Sequence, residues 1–263
     1  SDYNFILFTC IFKAVVGGLL QLYGRGAENK MSRRDGYCVV TLSWVFFTFF
    51  GMLPFYFSGS IDTITNAFFE TLSGFTTTGA TILDDIESLS HGMLFWRSLT
   101  QWIGGLGIVF FTIAILPIFT TGGVQLFSAE STGVTHDRTH PKINVMAKWL
   151  WTIYLVLTVS ETVLLMFGGM SLFDAICQSF ATTATGGYST KQNSISYWNS
   201  PYIEYVVAIF MIVSSINFSL FLMCLKGIVG RLFKDEELHW FLASVGILTF
   251  HITLALVFQN HYD

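Results

Sequence analysis

The sequence predicts an all-α integral membrane protein in which full-length spans alternate with half-length helices that enter the bilayer and return. Three observations carry this. Of 263 residues, 52% are hydrophobic and 11% charged, with a mean hydropathy of +0.59, whereas soluble domains are about one quarter charged. Apolar runs recur at lengths near the ~20 residues that cross ~30 Å of hydrocarbon. Finally, sliding the sequence along itself by one fixed offset lays Thr77 on Thr185, Gly79 on Gly187 and Asn66-Ala67 on Asp174-Ala175, the signature of an internal repeat.

The predicted spans run from Phe5 to Tyr23, Tyr37 to Phe57, Leu94 to Phe119, Met146 to Phe167, Tyr202 to Leu225 and Trp240 to Phe258. Ile64 to Phe75 and Phe173 to Thr182 are too short to span, and each leads into a run of Thr and Gly. The same order of span, half-length helix, polar stretch and span therefore occurs twice, in one orientation, which makes the repeat parallel rather than inverted. The implied divisions are an N-terminal helix and connector (1–36), a first repeat (37–120), a connector (121–144), a second repeat (145–226) and the start of a third (227–263).

Net charge is −4, but orientation follows Lys and Arg in short loops. Ten of the thirteen basic residues fall in three connectors: Arg25, Lys30, Arg33 and Arg34; Arg138, Lys142 and Lys148; Lys226, Arg231 and Lys234. The connectors between them hold Arg97 and Lys191 against Asp62, Glu70, Asp84, Asp85, Glu87 and Asp174. The basic connectors are therefore expected in the cytoplasm and the acidic ones outside. Cys10, Cys38, Cys177 and Cys224 lack CxxC or metal-ligand spacing and read as packing residues. No signal-peptide pattern is present, and because Ser1 opens directly on an apolar run a preceding segment is expected.

Irregular backbone survives at membrane depth only when buried in protein or lining a wet cavity. Phe75-Thr76-Thr77-Thr78-Gly79-Ala80-Thr81 and Thr183-Ala184-Thr185-Gly186-Gly187-Tyr188-Ser189 therefore imply a polar path. Dehydrating a monovalent cation takes a ring of oxygens, which extended backbone supplies when its carbonyls point inward. Gly79 and Gly187 suit the backbone angles this requires, and Thr77 and Thr185 can add hydroxyl oxygens. Half-helices that aim their C-termini at the path favour a cation there. Asp62 and Asp174 fit the helix starts as N-caps.

Three blocks carry a family resemblance: Phe69-Glu70-Thr71-Leu72-Ser73-Gly74 running into the first Thr-Gly stretch; Phe95-Trp96-Arg97-Ser98-Leu99-Thr100-Gln101-Trp102-Ile103-Gly104-Gly105-Leu106-Gly107; and Phe173 to Cys177 with Ala184 to Thr190. Through them the chain resembles the Trk/Ktr superfamily of K⁺ transport subunits, specifically its TrkH-type branch. The resemblance implies a K⁺ channel-like fold of helix, re-entrant pore helix with filter loop, and helix. It implies K⁺ as the transported ion with no organic cofactor, and filter positions at Thr77, Thr78, Gly79, Thr185, Gly186 and Gly187. It further implies a multi-pass protein of the bacterial inner membrane, a homodimer, and a TrkA-like cytosolic nucleotide-binding regulatory subunit docked on the basic connectors. The family has four such repeats; two are found here, and nothing in this chain is assigned as the family's intramembrane gate.

Other residues admit two readings. Gly104, Gly105 and Gly107 read as helix packing, with a hinge or cavity lining as the alternative. Arg97 reads as snorkelling or pairing with an acid at the interface, rather than positioning ions. Glu161 within a span is a candidate for the ion path, against a carboxyl held by a neighbouring helix. Lys13 is expected to face protein or reach the surface. His136 and His140 lack paired helical spacing, so no metal site is expected. No P-loop, dinucleotide fingerprint or nucleophile elbow occurs, and catalysis is not expected. An ion-coupled symporter and a non-transporting receptor are the rival readings. Two repeats supply half of a four-fold ring, so either the encoded chain is expected to continue past Asp263 through two further repeats, or two copies meet.

Overall fold

A computed structural model describes residues 2–26, 33–107, 139–217, 220–221, 230 and 235–260. Among them every regular element is helical. Helix α1 covers Asp2–Tyr23, α2 Arg33–Gly51, α3 Leu53–Phe57, α4 Ile64–Phe75, α5 residues 91–107, α6 Thr139–Phe167, α7 Leu172–Thr183, α8 Pro201–Ser214 and α9 Glu236–Asn260. Among the described residues three helices are long and apolar enough to cross a membrane: Tyr37–Phe57, which joins α2 to α3, Lys148–Phe167 within α6, and Glu236–Phe258 within α9. The α2–α3 break falls at Met52, just before Pro54, whose missing N–H and ring interrupt the helical ladder.

The half-length helices, α4 and α7, have twelve residues each. At 1.5 Å per residue that is about 18 Å, too short for ~30 Å of hydrocarbon. Their starts differ from the sequence expectation. The Thr63 hydroxyl accepts from Asn66 N at 3.2 Å, and the Ser171 hydroxyl accepts from Asp174 N at 3.1 Å. Thr63 and Ser171, which the internal repeat places in register, are thus the N-caps in place of Asp62 and Asp174. Asp174 sits one turn in, where its carboxylate accepts from the Ser171 hydroxyl and still complements the helix dipole.

Helix α5 is the shared wall of the two repeats. Trp96 Nε1 donates to Gly51 O at 3.0 Å, fixing α5 to the first repeat. Trp102 Nε1 donates to Thr158 Oγ1 and Tyr154 OH donates to Trp102 O, both at 3.0 Å, fixing it to α6. Gly104 and Gly105 explain how close this packing is. A Cβ on Gly104 would meet the Phe75 carbonyl oxygen, and one on Gly105 the Tyr154 hydroxyl at 2.7 Å and Ala184 at 3.1 Å. Both glycines are packing positions. Lys13 faces protein, its ammonium 4.8 Å from the Trp96 ring centroid.

Small apolar cores brace each half-helix. Met52, Phe55, Ile61, Ala67, Met93 and Leu94 gather around α4, and Leu165, Met170, Ala175, Ile203, Val206 and Val207 around α7. The predicted span from Tyr202 to Leu225 is interrupted: α8 ends at Ser214, and Ser215 to Asn217 are not helical. Ser and Asn side chains compete with the helix for backbone groups, and Leu220 N turns back onto Asn217 O at 2.9 Å. The contacts also divide here, into a unit ending at Ser214 and one beginning at Ser215. In the second unit Asp235 caps α9 by accepting from Leu238 N at 2.9 Å, and Asn217 donates to Glu237 at 3.2 Å. The end of the span predicted from Leu94 to Phe119, the connector side chains of Lys30, Arg33, Arg34, Arg138, Lys142, Lys226, Arg231 and Lys234, the side chains of Cys10 and His140, and Cys224 and His136 lie outside the described residues. Cys177 is buried and Cys38 exposed.

Candidate ion-permeation site

Both half-helices end in the same backbone pattern. Thr77 N bonds Gly74 O and Thr78 N bonds Ser73 O; at the matching positions of the second repeat, Thr185 N bonds Thr182 O and Gly186 N bonds Ala181 O, all between 2.8 and 3.0 Å. These bonds tuck the last turn under and release the chain as an irregular strand. Thr77 and Thr185 then both have φ of 54°, while Gly79 and Gly187 have φ of 76° and 86°. Thr78 and Gly186, between them, are not in that region. Backbone of alternating handedness is the kind from which ion-binding concavities are made. A β-branched residue at positive φ is a strained outlier costing about 1–3 kcal/mol. Each loop carries that strain at its Thr.

The two loops that carry the six candidate positions meet at Gly79 and Gly186. A Cβ on Gly79 would meet the carbonyl oxygen of Gly186, so the loops touch backbone to backbone. Gly186 is buried against the Gln101 amide, Thr77 and Gly79 are half-buried, and Thr78, Thr185 and Gly187 are exposed. Gln101 Oε1 accepts from Tyr188 N at 3.1 Å, and Glu70 Oε2 accepts from Ile82 N at 3.0 Å. Amides on the far side of each strand are therefore engaged by side chains behind it.

Sequence reasoning reads Glu70 only as an acid of an external connector and Tyr188 only as the end of the second Thr-Gly stretch, and gives Gln101 no role; the structure sets all three behind the loops. For Arg97 sequence reasoning offers snorkelling or pairing with an acid at the interface; the structure shows the pairing with an acid, within buried protein. Arg97 is 2% exposed, its Nε donates to Glu70 Oε1 at 2.8 Å, and its Nη1 donates to Ser189 O at 3.0 Å. The acid it finds is buried with it, so it has no need to reach water. Signals for this are present in the sequence. Opposite charges in apolar blocks must pair, and the register of the repeat places Gln178 opposite Glu70 and Tyr205 opposite Arg97, marking both as departures from the repeat.

Glu161 lies against the end of α7, ahead of the second loop. It is fully buried, and its Oε2 accepts from the Thr183 hydroxyl at the end of α7 at 3.4 Å. Past the loops, Lys191 Nζ donates to Glu87 Oε2 and Gln192 Oε1 accepts from Ile86 N, tying the segments that follow the two loops to one another. Burial works against the Lys191 charge, but the Glu87 hydrogen bond and charge outweigh it and hold its pKa above the usual lysine range.

A family model named TrkH, described as a cation transport protein, matches residues 2–260. The chain is 43% identical over 251 residues to the Trk system potassium uptake protein TrkH of Escherichia coli K12, covering 94% of this chain and 52% of that one. To TrkH of Vibrio parahaemolyticus it is 36% identical over 262 residues, covering 98% and 53%. It is 34% identical over 249 residues to the E. coli K12 protein TrkG, covering 93% and 50%. The crystal structure of the potassium transporter TrkH from V. parahaemolyticus superposes with a TM-score of 0.85 at 32% identity, over all of this chain and 53% of that one. The chain thus spans about half the length of the curated relatives it matches.

Proposed function

The chain belongs to the TrkH family of cation transport proteins, and on that premise we propose that it forms part of a K⁺ uptake pathway, a transport protein rather than an enzyme. The observation that carries the reading is the pair of loops in which Thr77 and Gly79, and Thr185 and Gly187, share one backbone conformation at the ends of two half-helices. Carbonyls and Thr hydroxyls at Thr77, Thr78, Gly79, Thr185, Gly186 and Gly187 replace the hydration shell of a passing K⁺. The C-terminal ends of α4 and α7 add their partial negative charge at the same point. Further oxygens of the ring come from loops other than these two. The relatives compared above are all Trk system potassium uptake proteins, which favours K⁺ as the cargo.

The repeats are taken as residues 37–120 and 145–226, with a third beginning in 227–263. The protein works in the inner membrane of a bacterial cell, as a homodimer, with a TrkA-like nucleotide-binding subunit on its cytoplasmic connectors. The test is cation flux into proteoliposomes holding the complete encoded protein. K⁺ and Rb⁺ are expected to enter well ahead of Na⁺; flux absent, or indifferent to the cation, would remove the filter reading.

A further inference from the structure

We propose that the buried Glu70–Arg97 pair is a positioning clamp that fixes the spacing between the distal ends of the two filter loops and so sets K⁺ against Na⁺ discrimination; this rests on the filter reading above. Glu70 holds the first loop, its Oε1 accepting from Thr81 Oγ1 at 2.9 Å and its Oε2 from Ile82 N at 3.0 Å. The same Oε1 accepts from Arg97 Nε at 2.8 Å. Through Nη1, Arg97 reaches the second loop, donating to Ser189 O at 3.0 Å. Thr81 and Ser189 occupy matching positions of the two repeats, so one ion pair fastens the equivalent residue of both loops, one from each end. Tyr188 closes the bridge. Its ring centroid lies 3.6 Å from the Arg97 guanidinium carbon, and its hydroxyl lies 2.9 Å from Glu70 O and 3.2 Å from Ala80 O.

Buried ion pairs are weak sources of stability, since apolar replacements of the same shape often do as well. What this pair supplies is geometry. The two guanidinium nitrogens point along a rigid fork, and only a fork can engage Glu70 and the Ser189 carbonyl together at fixed separation. The second repeat has no copy of the device: Gln178 stands where Glu70 would be, and Tyr205, which is exposed, where Arg97 would be. The clamp is a single link between adjacent loops.

The test uses the complete encoded protein in proteoliposomes, scoring the K⁺/Na⁺ flux ratio per amount of monodisperse protein. Arg97→Lys keeps a charge for Glu70 but loses the fork, and Thr81→Val leaves the ion pair whole while removing one of the two bonds by which Glu70 holds the first loop. The ratio is expected to fall about tenfold in Arg97→Lys, the worth of one charge-assisted hydrogen bond, and by less in Thr81→Val. A selective parent protein whose two variants keep its ratio would overturn the clamp and leave the filter standing. Where Arg97→Lys does not assemble, Thr81→Val decides alone. A parent protein without selectivity brings down the filter reading and the clamp with it.

Discussion

A methyl group added at Gly79 would meet the Gly186 carbonyl oxygen, whereas at Gly187 nothing lies within 4 Å. Both glycines sit at positive φ, where a Cβ costs about 1–2 kcal/mol by its own backbone alone. Gly187→Ala therefore meets conformational strain only, and Gly79→Ala meets strain plus a backbone atom that cannot rotate away. In the complete encoded protein, Gly79→Ala is expected to abolish K⁺ over Na⁺ discrimination and to lower the yield of monodisperse protein, while Gly187→Ala weakens discrimination and assembles normally. Equal effects in the paired flux and size-exclusion measurements would refute the asymmetry. The glycines themselves are legible in the sequence because they recur in register in the two repeats. Their unequal surroundings are not, since the contact of Gly79 with Gly186 depends on how one loop lies against the other, which no local pattern encodes.

Helix α5 packs closely towards its C-terminal end, and Gly104 and Gly107 there separate by what lies opposite them. Gly104 abuts the Phe75 carbonyl, but at Gly107 the nearest atom to an added Cβ is on the Trp44 ring at 3.6 Å, an ordinary contact. Overpacking at Gly104 costs about 1–3 kcal/mol. At Gly107 an alanine gains up to about 1 kcal/mol of helix propensity. Gly104→Ala is thus expected to lower the temperature at which the protein loses its monodisperse peak in detergent, and Gly107→Ala to keep or raise it. The half-helices are also legible in the sequence, because twelve residues followed by Thr and Gly cannot span. Their caps are not: Asp62 and Asp174 draw attention as charges, yet the cap is set by whichever side-chain oxygen reaches the free N–H groups, here Thr63 and Ser171. The break after Ser214 is hidden by the apolar residues on both sides of it, since hydropathy averages over a window and a short stretch of Ser, Ile and Asn barely moves it.

Across the chain, hydropathy and charge spacing disclose the fold class, and opposite charges in apolar blocks hint at the Glu70–Arg97 pair, but the second contact of Arg97, with Ser189 92 residues away, needs coordinates. Sidedness rests on charge and can be argued further from the first unit. The Gly79 and Gly186 backbones meet, and beyond them Glu87 pairs with Lys191, so the segments after both loops emerge on one side of the membrane. That side carries Asp84, Asp85 and Glu87 against Lys191. Positive charge is retained in the cytoplasm, so by charge this side is expected at the exterior and the connectors bearing Arg33, Lys142 and Lys234 at the interior. In a cysteine-depleted form of the complete protein in intact cells, single cysteines placed at Asp85 and at Asn193 should react with an impermeant thiol reagent. Cysteines placed at Arg33, Lys142 and Lys234 should react only after the cells are opened. Labelling at Asp85 without labelling at Asn193 would separate two loops that the Glu87–Lys191 contact holds together, and labelling at Arg33 in intact cells would reverse the orientation.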